Sequence, residues 1–351
     1  MHPVYDLLVV GAGPGGAAAA QTAAARGLRV LCVDRRREVG VPVQCAEFVP
    51  MPLLRQVHET LSRVQDVVAM RSVLPSGAED YRDFPGIMID RARFDQGLAE
   101  AAHAAGAEIR THTTFRGWDG ERAELEQDGR SWSVAARFLV GADGPHSVVA
   151  TALGLPPQPI VQTRQYTVEL RAPYADTDIF LSDDFPGGYA WLFPRGPVAN
   201  LGLGADRRFA DNLKTPLEAL HRQMQERGLV GAEILARTGG AIPVGGIRPL
   251  VHPKALLVGD AAGLTHPITG AGIPAAVISG FAAGAAVADY LAGDQEALES
   301  YAEDMHDQFG PALERALRRR ASLEAVWHTP AAADDRVMRS SWIAFEEYFA
   351  A

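Results

Sequence analysis

The chain has 351 residues, of which 47% are hydrophobic and 22% charged, and its formal net charge is -10. A chain of this length folds into about two domains, and this composition is typical of an ordered globular protein. The acidic balance argues against nucleic acid as a partner, because surfaces that bind nucleic acid are basic. We therefore expect a two-lobed globular protein with no nucleic-acid partner.

The sequence holds two cysteines, Cys32 and Cys45, and neither belongs to a CxxC motif or a Cys/His cluster. Two cysteines cannot form a disulfide framework, so we expect a reducing, cytoplasmic setting and no metal site. The first residues lack the basic region of a signal peptide and lead straight into a strand pattern, which agrees with that expectation.

One nearly uncharged stretch, residues 264–287, has the length of a membrane span. It consists mainly of Ala, Gly and other small residues, and it contains His266 and two prolines. We expect a buried helix that packs against another element of the fold, with insertion into a membrane as the alternative.

The N-terminal segment has the pattern of a strand, a glycine turn, a helix and a second strand. An apolar run at 5–10 precedes GAGPGG at 11–16, an Ala-rich segment follows, and the apolar run at 28–33 ends at Asp34. This order is typical of a βαβ unit that binds a dinucleotide. A glycine turn with a purely structural role is the alternative.

Each glycine of the turn has a use in such a unit. Gly11 permits the tight turn, Gly13 and Gly15 let the backbone approach a pyrophosphate, and Gly16 lets the helix pack closely on the strand. The helix N-terminus offers free N–H groups to phosphates, and Asp34 can accept hydrogen bonds from ribose hydroxyls. The turn alone does not distinguish NAD from FAD.

Two further apolar runs each lead into an aspartate. Residues 138–140 precede GADGPHS, which contains Asp143 and Gly144, and residues 255–258 precede GDAAG, which contains Asp260. Ligands of an open parallel sheet bind at the carboxyl ends of its strands, where Asp260 can reach a ribityl or pyrophosphate oxygen. A simple turn is the alternative for either motif.

The sequence GAGI opens a helix after the second of these motifs. The N–H groups of Gly270, Gly272 and Ile273 and the positive end of the helix dipole can face an electron-rich ring. Such a helix end would stabilise the negative charge of a reduced flavin, so these motifs favour FAD.

Taken together, these motifs resemble the glutathione-reductase-type FAD fold in its p-hydroxybenzoate-hydroxylase-like branch, and within it the geranylgeranyl reductase family. The further segments that carry the likeness are VGVPVQCAE at 39–47, IDRARFD at 89–95, PGGYAWLFPRG at 186–196 and GGAIPVGG at 239–246. The resemblance implies bound FAD and an apolar, lipid-derived small-molecule substrate. It leaves the electron donor open between NAD(P)H and a reduced carrier protein.

The resemblance also implies roles for residues outside the glycine motifs. It places Gln44, Cys45 and Ala46 beside the flavin ring and Arg91 in the FAD site. Cys45 would then donate a proton or tune the ring, and a small side chain that fills loop space is the alternative. Arg35 begins a run of three arginines that would meet a phosphate, with a solvated charge run as the alternative.

Two departures from the family pattern are visible. Ala150 stands where this branch usually has an arginine after the DG motif, which bears on how a nicotinamide donor would bind. The segment after the GDAAG helix is short for the family, which predicts a reduced back wall of the substrate tunnel.

Residues 160–245 contain runs of partial alternation separated by Pro, Gly and Asp, which predicts an antiparallel sheet that roofs the flavin. Tyr189, Trp191 and Phe193 are spaced by two, so on a strand they project from one face. Tyr189 and Trp191 would form an aromatic wall for an apolar substrate, with ordinary core packing as the alternative. His266 would relay protons or be structural.

The predicted fold class is α/β, with a Rossmann-like FAD-binding domain of the glutathione-reductase type, an inserted antiparallel-sheet substrate domain and C-terminal helices. The expected boundaries are 1–70, 85–160 and 250–295 for the FAD-binding domain, 71–84 and 161–249 for the substrate domain, and 296–351 for the helical segment. The arginine run at 318–320 leaves open a peripheral contact with anionic lipid headgroups.

The expected reaction is the reduction of carbon–carbon double bonds in an isoprenoid or similar apolar chain. Hydride from reduced flavin would reach one carbon, and Cys45 or a water would protonate the other. Because an isolated alkene is poorly electrophilic, Tyr189 and Trp191 would stabilise positive charge that develops on the substrate. The alternatives are a flavin monooxygenase that hydroxylates an aromatic substrate or a peptide side chain, and a non-catalytic electron-transfer module.

Overall fold

The computed structural model describes residues 4–50 and 62–350. The strands, in chain order, are β1 (Val4–Val10), β2 (Val30–Val33), β3 (Phe48–Pro50), β4 (Arg63–Val73), β5 (Glu79–Ile89), β6 (Glu108–Arg110), β7 (Thr114–Trp118), β8 (Arg122–Gln127), β9 (Arg130–Gly141), β10 (Ile160–Leu170), β11 (Thr177–Phe180), β12 (Ala190–Arg195), β13 (Val198–Ala205), β14 (Val230–Thr238), β15 (Ala241–Pro243), β16 (Val251–His252) and β17 (Ala255–Leu257). The helices are α1 (Pro14–Ala25), α2 (Arg91–Ala104), α3 (Val148–Ala152), α4 (Lys214–Glu226), α5 (Ile273–Ala292), α6 (Ala297–Glu324), α7 (Asp335–Ser341) and α8 (Glu346–Phe349), with short 3-10 helices at Gly259–Ala262 and Pro330–Ala333.

The first sheet has the strand order β16-β17-β9-β1-β2-β6, and β8 joins it through β9 with β7 beside it. The pairs β17/β9, β9/β1, β1/β2 and β2/β6 are parallel. Every residue of β2 is buried, as are Leu7 to Val10 in β1, which is typical of parallel strands covered on both faces. The predicted Rossmann-like α/β domain is confirmed.

Helix α5 packs against α1 at very short range. A Cβ atom on Gly280 would lie 2.2 Å from the carbonyl oxygen of Gly15, and one on Gly284 would lie 2.4 Å from that of Ala19. Two glycines therefore set the distance between the helices. Among the described helices, α5 alone is long and apolar enough to cross a membrane. The helix predicted for residues 264–287 begins only at Ile273, because residues 264–272 form the loop before it, and it packs against α1.

The second sheet has the strand order β14-β10-β13-β12-β11-β4-β5-β3, with β15 paired to β10. Its pairs are antiparallel except for β11 and β4, so the antiparallel sheet predicted for 160–245 is present.

The first part of this sheet differs from the expected domain boundaries. Strands β4 and β5 pair along their whole length, from Arg63 opposite Ile89 to Val73 opposite Glu79, with two shifts of register. The predicted segment 71–84 is therefore the middle of a longer hairpin, and the boundaries drawn at 70 and 85 fall inside strands. These boundaries lie close to the turn of this hairpin, whereas the hydrogen bonds between β4 and β5 keep the two whole strands in one domain.

Strand β12 separates two hydrophobic clusters. Ala190 and Leu192 pack with α4 on one face, whereas Trp191 and Phe193, with Tyr189 before them, pack with the C-terminal helices on the other. The period of two predicted for the aromatic residues is present, and the strand runs through Pro194 to Arg195.

The arginine run on α6 is engaged mainly with the protein. Arg320 is buried, forms an ion pair of 2.9 Å with Asp206 and donates to the carbonyl oxygen of Gly187 at 2.8 Å. Arg319 donates to the carbonyl oxygen of Tyr348 at 3.1 Å. The contact with lipid headgroups that the run at 318–320 left open does not involve the charge of Arg320, because that charge is paired inside the fold.

Candidate active site

A cavity of about 670 Å³ is lined by elements of both sheets. Nearly all of the site residues predicted from the sequence line it: Gly11, Gly13, Gly15, Asp34, Arg35, Gln44, Cys45, Ala46, Arg91, Asp143, Gly144, Tyr189, Trp191, Asp260, Gly270, Gly272 and Ile273. Gly16 and His266 are not part of this lining.

The glycine turn has the geometry expected of a phosphate-binding loop. Gly11 has a φ of 101°, and a Cβ on Gly16 would lie 1.7 Å from the carbonyl oxygen of Gly11, so Gly16 serves close packing. Nothing lies within 4 Å of the Cβ position of Gly13, which faces open space. Helix α1 begins at Pro14 without a side-chain cap, so its first N–H groups are free to bind an anion.

The Asp34 carboxylate is fixed at the end of β2. One oxygen accepts from the backbone N–H of Ala12 at 2.8 Å, and the other accepts from that of Arg36 at 2.8 Å. Each carboxylate oxygen has a further lone pair, so Asp34 can still accept hydroxyl donors from the cavity.

Gln44 connects the loop after β2 to the second sheet. Its Oε1 accepts from Arg36 at 2.8 Å, and its Nε2 donates to the carbonyl oxygen of Gly239 at 2.8 Å. Arg36 and Gln44 therefore bridge the two sheets at the cavity, and Arg35 lines the cavity beside them.

Asp143 caps α3. Its carboxylate accepts from the Ser147 hydroxyl at 2.5 Å and from the backbone N–H groups of Val148 at 2.7 Å and Val149 at 3.0 Å. Burial raises the pKa of Asp143, although these hydrogen bonds act in the opposite direction. The carboxylate thus orders the turn that carries Gly144, which has a φ of 83°.

Asp260 lies at the N-terminus of α5. Its Oδ1 accepts from the Thr265 hydroxyl at 2.6 Å, and a Cβ on Gly272 would lie 3.1 Å from the same oxygen. Burial raises the pKa of Asp260, while the Thr265 hydroxyl and the Arg91 charge lower it. Helix α5, like α1, begins without a side-chain cap, so two helix N-termini open to one cavity.

Cys45 is held by a turn that depends on Glu47. The Cys45 Sγ accepts from the backbone N–H of Glu47 at 3.2 Å, and Glu47 has a left-handed φ of 69°. The buried Glu47 carboxylate accepts from the backbone N–H of Arg91 and from the side-chain amide of Asn200, each at 3.0 Å. It also forms an ion pair of 3.1 Å with Arg195. Three elements therefore fix the position of the thiol.

Arg91 brings a positive charge to the same region. Its guanidinium donates to both carboxylate oxygens of Asp95 at 3.0 Å. Burial lowers the pKa of Arg91, but the charge of Asp95 outweighs it and holds the pKa above its usual range. Arg91 is thus a permanent cation close to the Cys45 thiol and the Asp260 carboxylate.

Tyr189 and Trp191 form one apolar wall, with ring centroids 5.7 Å apart. The Tyr189 hydroxyl donates to the carbonyl oxygen of Thr269 at 2.6 Å. The Trp191 Nε1 donates to Gln165 at 3.1 Å, and the Gln165 amide in turn donates to the carbonyl oxygen of Cys45 at 3.3 Å. The wall and the cysteine loop are therefore held in one arrangement.

His266 does not have the predicted place in the cavity. Its Nδ1 accepts from the backbone N–H of Thr269 at 3.2 Å, so the proton lies on Nε2, which is 3.2 Å from the Tyr348 hydroxyl. Burial lowers its pKa to about 4, so the ring is neutral. Both ring nitrogens have partners within the fold, which favours the structural role over the proton relay.

Three residues that sequence reasoning missed complete the site. Trp342 and Ile343, between α7 and α8, line the cavity, and the Trp342 ring lies 4.8 Å from that of Tyr189. They form the wall that the short C-terminal segment was expected to lack. Gln165 was missed because only the strand register brings it beside Trp191.

Comparisons with known proteins identify the family to which the chain belongs. The model of the FAD binding domain family matches residues 4–179, and that of the lycopene cyclase protein family matches residues 205–339. The digeranylgeranylglycerophospholipid reductase of Methanocella arvoryzae is 34% identical over 343 residues, covering 90% of this chain and 86% of the relative. The digeranylgeranylglycerophospholipid reductase of Methanosarcina acetivorans is also 34% identical, and the match covers 86% of this chain and 80% of that protein.

Solved structures share the whole fold. A geranylgeranyl bacteriochlorophyll reductase-like protein of Thermoplasma acidophilum has a TM-score of 0.85 and 26% identity, covering 97% of this chain and 92% of its own. The myxobacterial chondrochloren halogenase has a TM-score of 0.70 and 19% identity, and the match covers 89% of this chain and 81% of the halogenase chain. At this identity the likeness is evidence for a shared fold only. The chain belongs to the geranylgeranyl reductase family of FAD-dependent oxidoreductases.

Proposed function

We propose that the protein reduces carbon–carbon double bonds of isoprenoid chains with FAD as its cofactor. The observation that carries the proposal is one continuous cavity that joins a dinucleotide-binding loop to an apolar region. The apolar region is lined by Phe48, Phe84, Ile179, Tyr189, Trp191, Phe193, Trp342 and Ile343. The relatives are named digeranylgeranylglycerophospholipid reductases, and these names support the same substrate class.

The residues present fit FAD. Gly11 to Gly16 and the N-terminus of α1 would hold the pyrophosphate, and Asp34 would accept the ribose hydroxyls. Asp260 and the uncapped N-terminus of α5 would hold the ribityl chain and the ring. When bound and reduced, FAD supplies the hydride.

Tyr189 and Trp191 would stabilise positive charge on the substrate. The π faces of these rings attract a cation, at about 0.5–2 kcal/mol. Because Gln165 and Thr269 hold the polar atoms of both rings, the rings are oriented before substrate binds.

Cys45 would donate the proton that completes the reduction. Its thiol lines the cavity, and the thiolate left after the transfer would accept the N–H of Glu47 at the position where the sulfur already accepts it. The nearby Arg91 cation would stabilise that negative charge. We further propose that the electrons come from NAD(P)H or a reduced carrier protein and that the reaction takes place in the cytoplasm.

Product analysis tests the function against its alternative. The FAD-loaded protein would be reduced with dithionite and mixed with geranylgeranyl lipids with and without oxygen. A reductase gives a product with two added hydrogens in the absence of oxygen. A monooxygenase gives a product with one added oxygen atom, and only when oxygen is present, which would overturn the proposal.

A further inference from the structure

Two cavities meet at a pair of aromatic rings in this protein. The main cavity of about 670 Å³ and a second one of about 20 Å³ are both lined by Tyr189 and Trp342. The two ring centroids are 4.8 Å apart, which is direct contact. Tyr189 and Trp342 therefore form a partition between the two spaces.

The two rings are held in different ways. The Tyr189 hydroxyl donates to the carbonyl oxygen of Thr269 at 2.6 Å, which fixes its ring to the loop before α5. The Trp342 Nε1 is buried and has no hydrogen-bond partner among the described residues, so packing alone holds its ring. Trp342 therefore contributes to the partition through the size and shape of its ring.

The backbone around Trp342 is anchored on both sides. Asp335 accepts from the hydroxyl and the backbone N–H of Ser76, at 2.5 and 3.0 Å, at the tip of the β4–β5 hairpin. After Trp342, the carbonyl oxygen of Tyr348 accepts from Arg319 at 3.1 Å. The side chain is therefore presented from a fixed support, and its removal need not displace the segment.

The space behind the partition is mainly apolar. Leu181, Ile268, Leu323, Trp327 and Met338 line the second cavity, together with Ser341 and with Arg320, whose guanidinium is paired with Asp206. At about 20 Å³ this cavity holds no more than one water-sized group. An apolar chain that reaches this end of the main cavity would meet Trp342, and the apolar side chains beyond it would accept further methylene groups.

The geometry points to Trp342 as a specificity-determining residue that sets the longest apolar chain the site accepts. This inference rests on the proposed function, since it takes an isoprenoid as the occupant. The structural prediction does not depend on the reaction: a smaller side chain at position 342 would join the two cavities and lengthen the apolar part of the site.

Binding of saturated straight-chain alcohols tests the inference without any reaction. The FAD-loaded protein would be titrated with primary alcohols of increasing length, with the flavin absorption spectrum as the readout. Each methylene buried in the site should tighten binding about fourfold, until a limiting length is reached. In Trp342→Ala we expect this limit to move to longer chains, whereas Trp342→Phe should keep the limit close to that of the wild type.

Trp327→Leu is the matched control, because Trp327 lines the second cavity and not the main one. It should enlarge the space behind the partition without moving the limiting length. Trp342→Leu takes the place of Trp342→Ala if the alanine variant fails to fold or to retain FAD.

An unchanged limit in Trp342→Leu and Trp342→Ala, or an equal shift in Trp327→Leu, would overturn the inference. The result is independent of the reaction. If the limiting length shifts but no alkene is reduced, Trp342 still sets the chain length and the proposed function is contradicted. If alkenes are reduced but the limiting length does not shift, the proposed function stands and the role of Trp342 is contradicted.

Discussion

The indole Nε1 of Trp191 donates a hydrogen bond of 3.1 Å to the Oε1 of Gln165, and both side chains are buried. Gln165 lies on β10 and Trp191 on β12, two strands that are separated in the sheet by β13. Because the Gln165 amide also donates to the carbonyl oxygen of Cys45, one side chain connects the aromatic wall to the cysteine loop.

Trp191→Leu should retain the fold and bound FAD but slow the reduction of alkenes about 2- to 30-fold. Leucine keeps the apolar surface and removes the ring quadrupole, which is worth about 0.5–2 kcal/mol. The measurement is the single-turnover rate of flavin reoxidation by substrate without oxygen. Trp191→Phe, which keeps a π face, should lose less. A fall in melting temperature with an unchanged rate would mean that Trp191 is a core residue.

Asp260→Ala should weaken FAD binding, because a buried polar partner of the cofactor is lost at about 1–3 kcal/mol, roughly 5- to 150-fold in the dissociation constant. Equilibrium titration of the apoprotein with FAD measures the change. Thr265→Val keeps the carboxylate and removes the hydroxyl that orients it, so its loss should be smaller. Equal FAD affinity in wild type and Asp260→Ala would place the cofactor elsewhere.

Alkylation of the folded protein should modify Cys45 alone. The sequence has two cysteines; Cys32 is 0% exposed, and burial with the charge of Asp34 raises its pKa, whereas Cys45 is half-buried and lines the cavity. Mass spectrometry after iodoacetamide treatment should find one adduct on the native protein and two after denaturation. Bound FAD with an apolar ligand should slow the native reaction. Adducts on Cys32 in the folded state would contradict this arrangement.

His266 should make the protein less stable as the pH falls. Its pKa is lowered from 6.5 to about 4 by burial, so in this interval the unfolded chain binds a proton that the folded chain does not. The free energy of unfolding should therefore decrease from about pH 6.5 to pH 4, by up to about 1.4 kcal/mol per pH unit from this group.

Urea unfolding at a series of pH values measures that slope. In His266→Asn the slope over this interval should be smaller, since the asparagine oxygen can still accept the Thr269 N–H and does not titrate. Identical slopes in the two proteins would show that His266 is already protonated in the folded state.

Gly280→Ala should destabilise the protein and weaken FAD binding together. The added Cβ would lie 2.2 Å from the carbonyl oxygen of Gly15, so α5 must move away from α1 and from the glycine turn. Thermal unfolding and FAD titration measure the two effects. Gly293→Ala is the control, because Gly293 lies outside the contact between α5 and α1. Nothing lies within 4 Å of its Cβ position, but its φ of 118° strains any side chain. It should lower stability and leave FAD affinity unchanged.

Local sequence patterns predicted the first lobe well. The glycine turn, the two aspartates at strand ends and the opening of α5 are short-range signals, and a parallel sheet brings strand ends to one edge. Alternation likewise predicted that Tyr189 and Trp191 share a face, because the side-chain period of a strand is fixed by its pleat.

The remaining features depend on pairing between distant segments. Nothing in the sequence near Trp342 indicates that it contacts Tyr189, since α6 and α7 bring it there. His266 has a sequence position beside the GDAAG motif, but its ring nitrogens are taken by Thr269 and Tyr348, and the latter lies 82 residues away. Charge runs also mislead, because Arg320 pairs with Asp206 in the loop that follows β13.

Anaerobic mixing of the dithionite-reduced, FAD-loaded protein with a geranylgeranyl lipid is the decisive experiment for double-bond reduction. We expect the flavin to be reoxidised without oxygen, with one double bond of the lipid saturated for each flavin reoxidised. A flavin that remains reduced until oxygen is admitted, with the double bonds intact, would rule this reaction out.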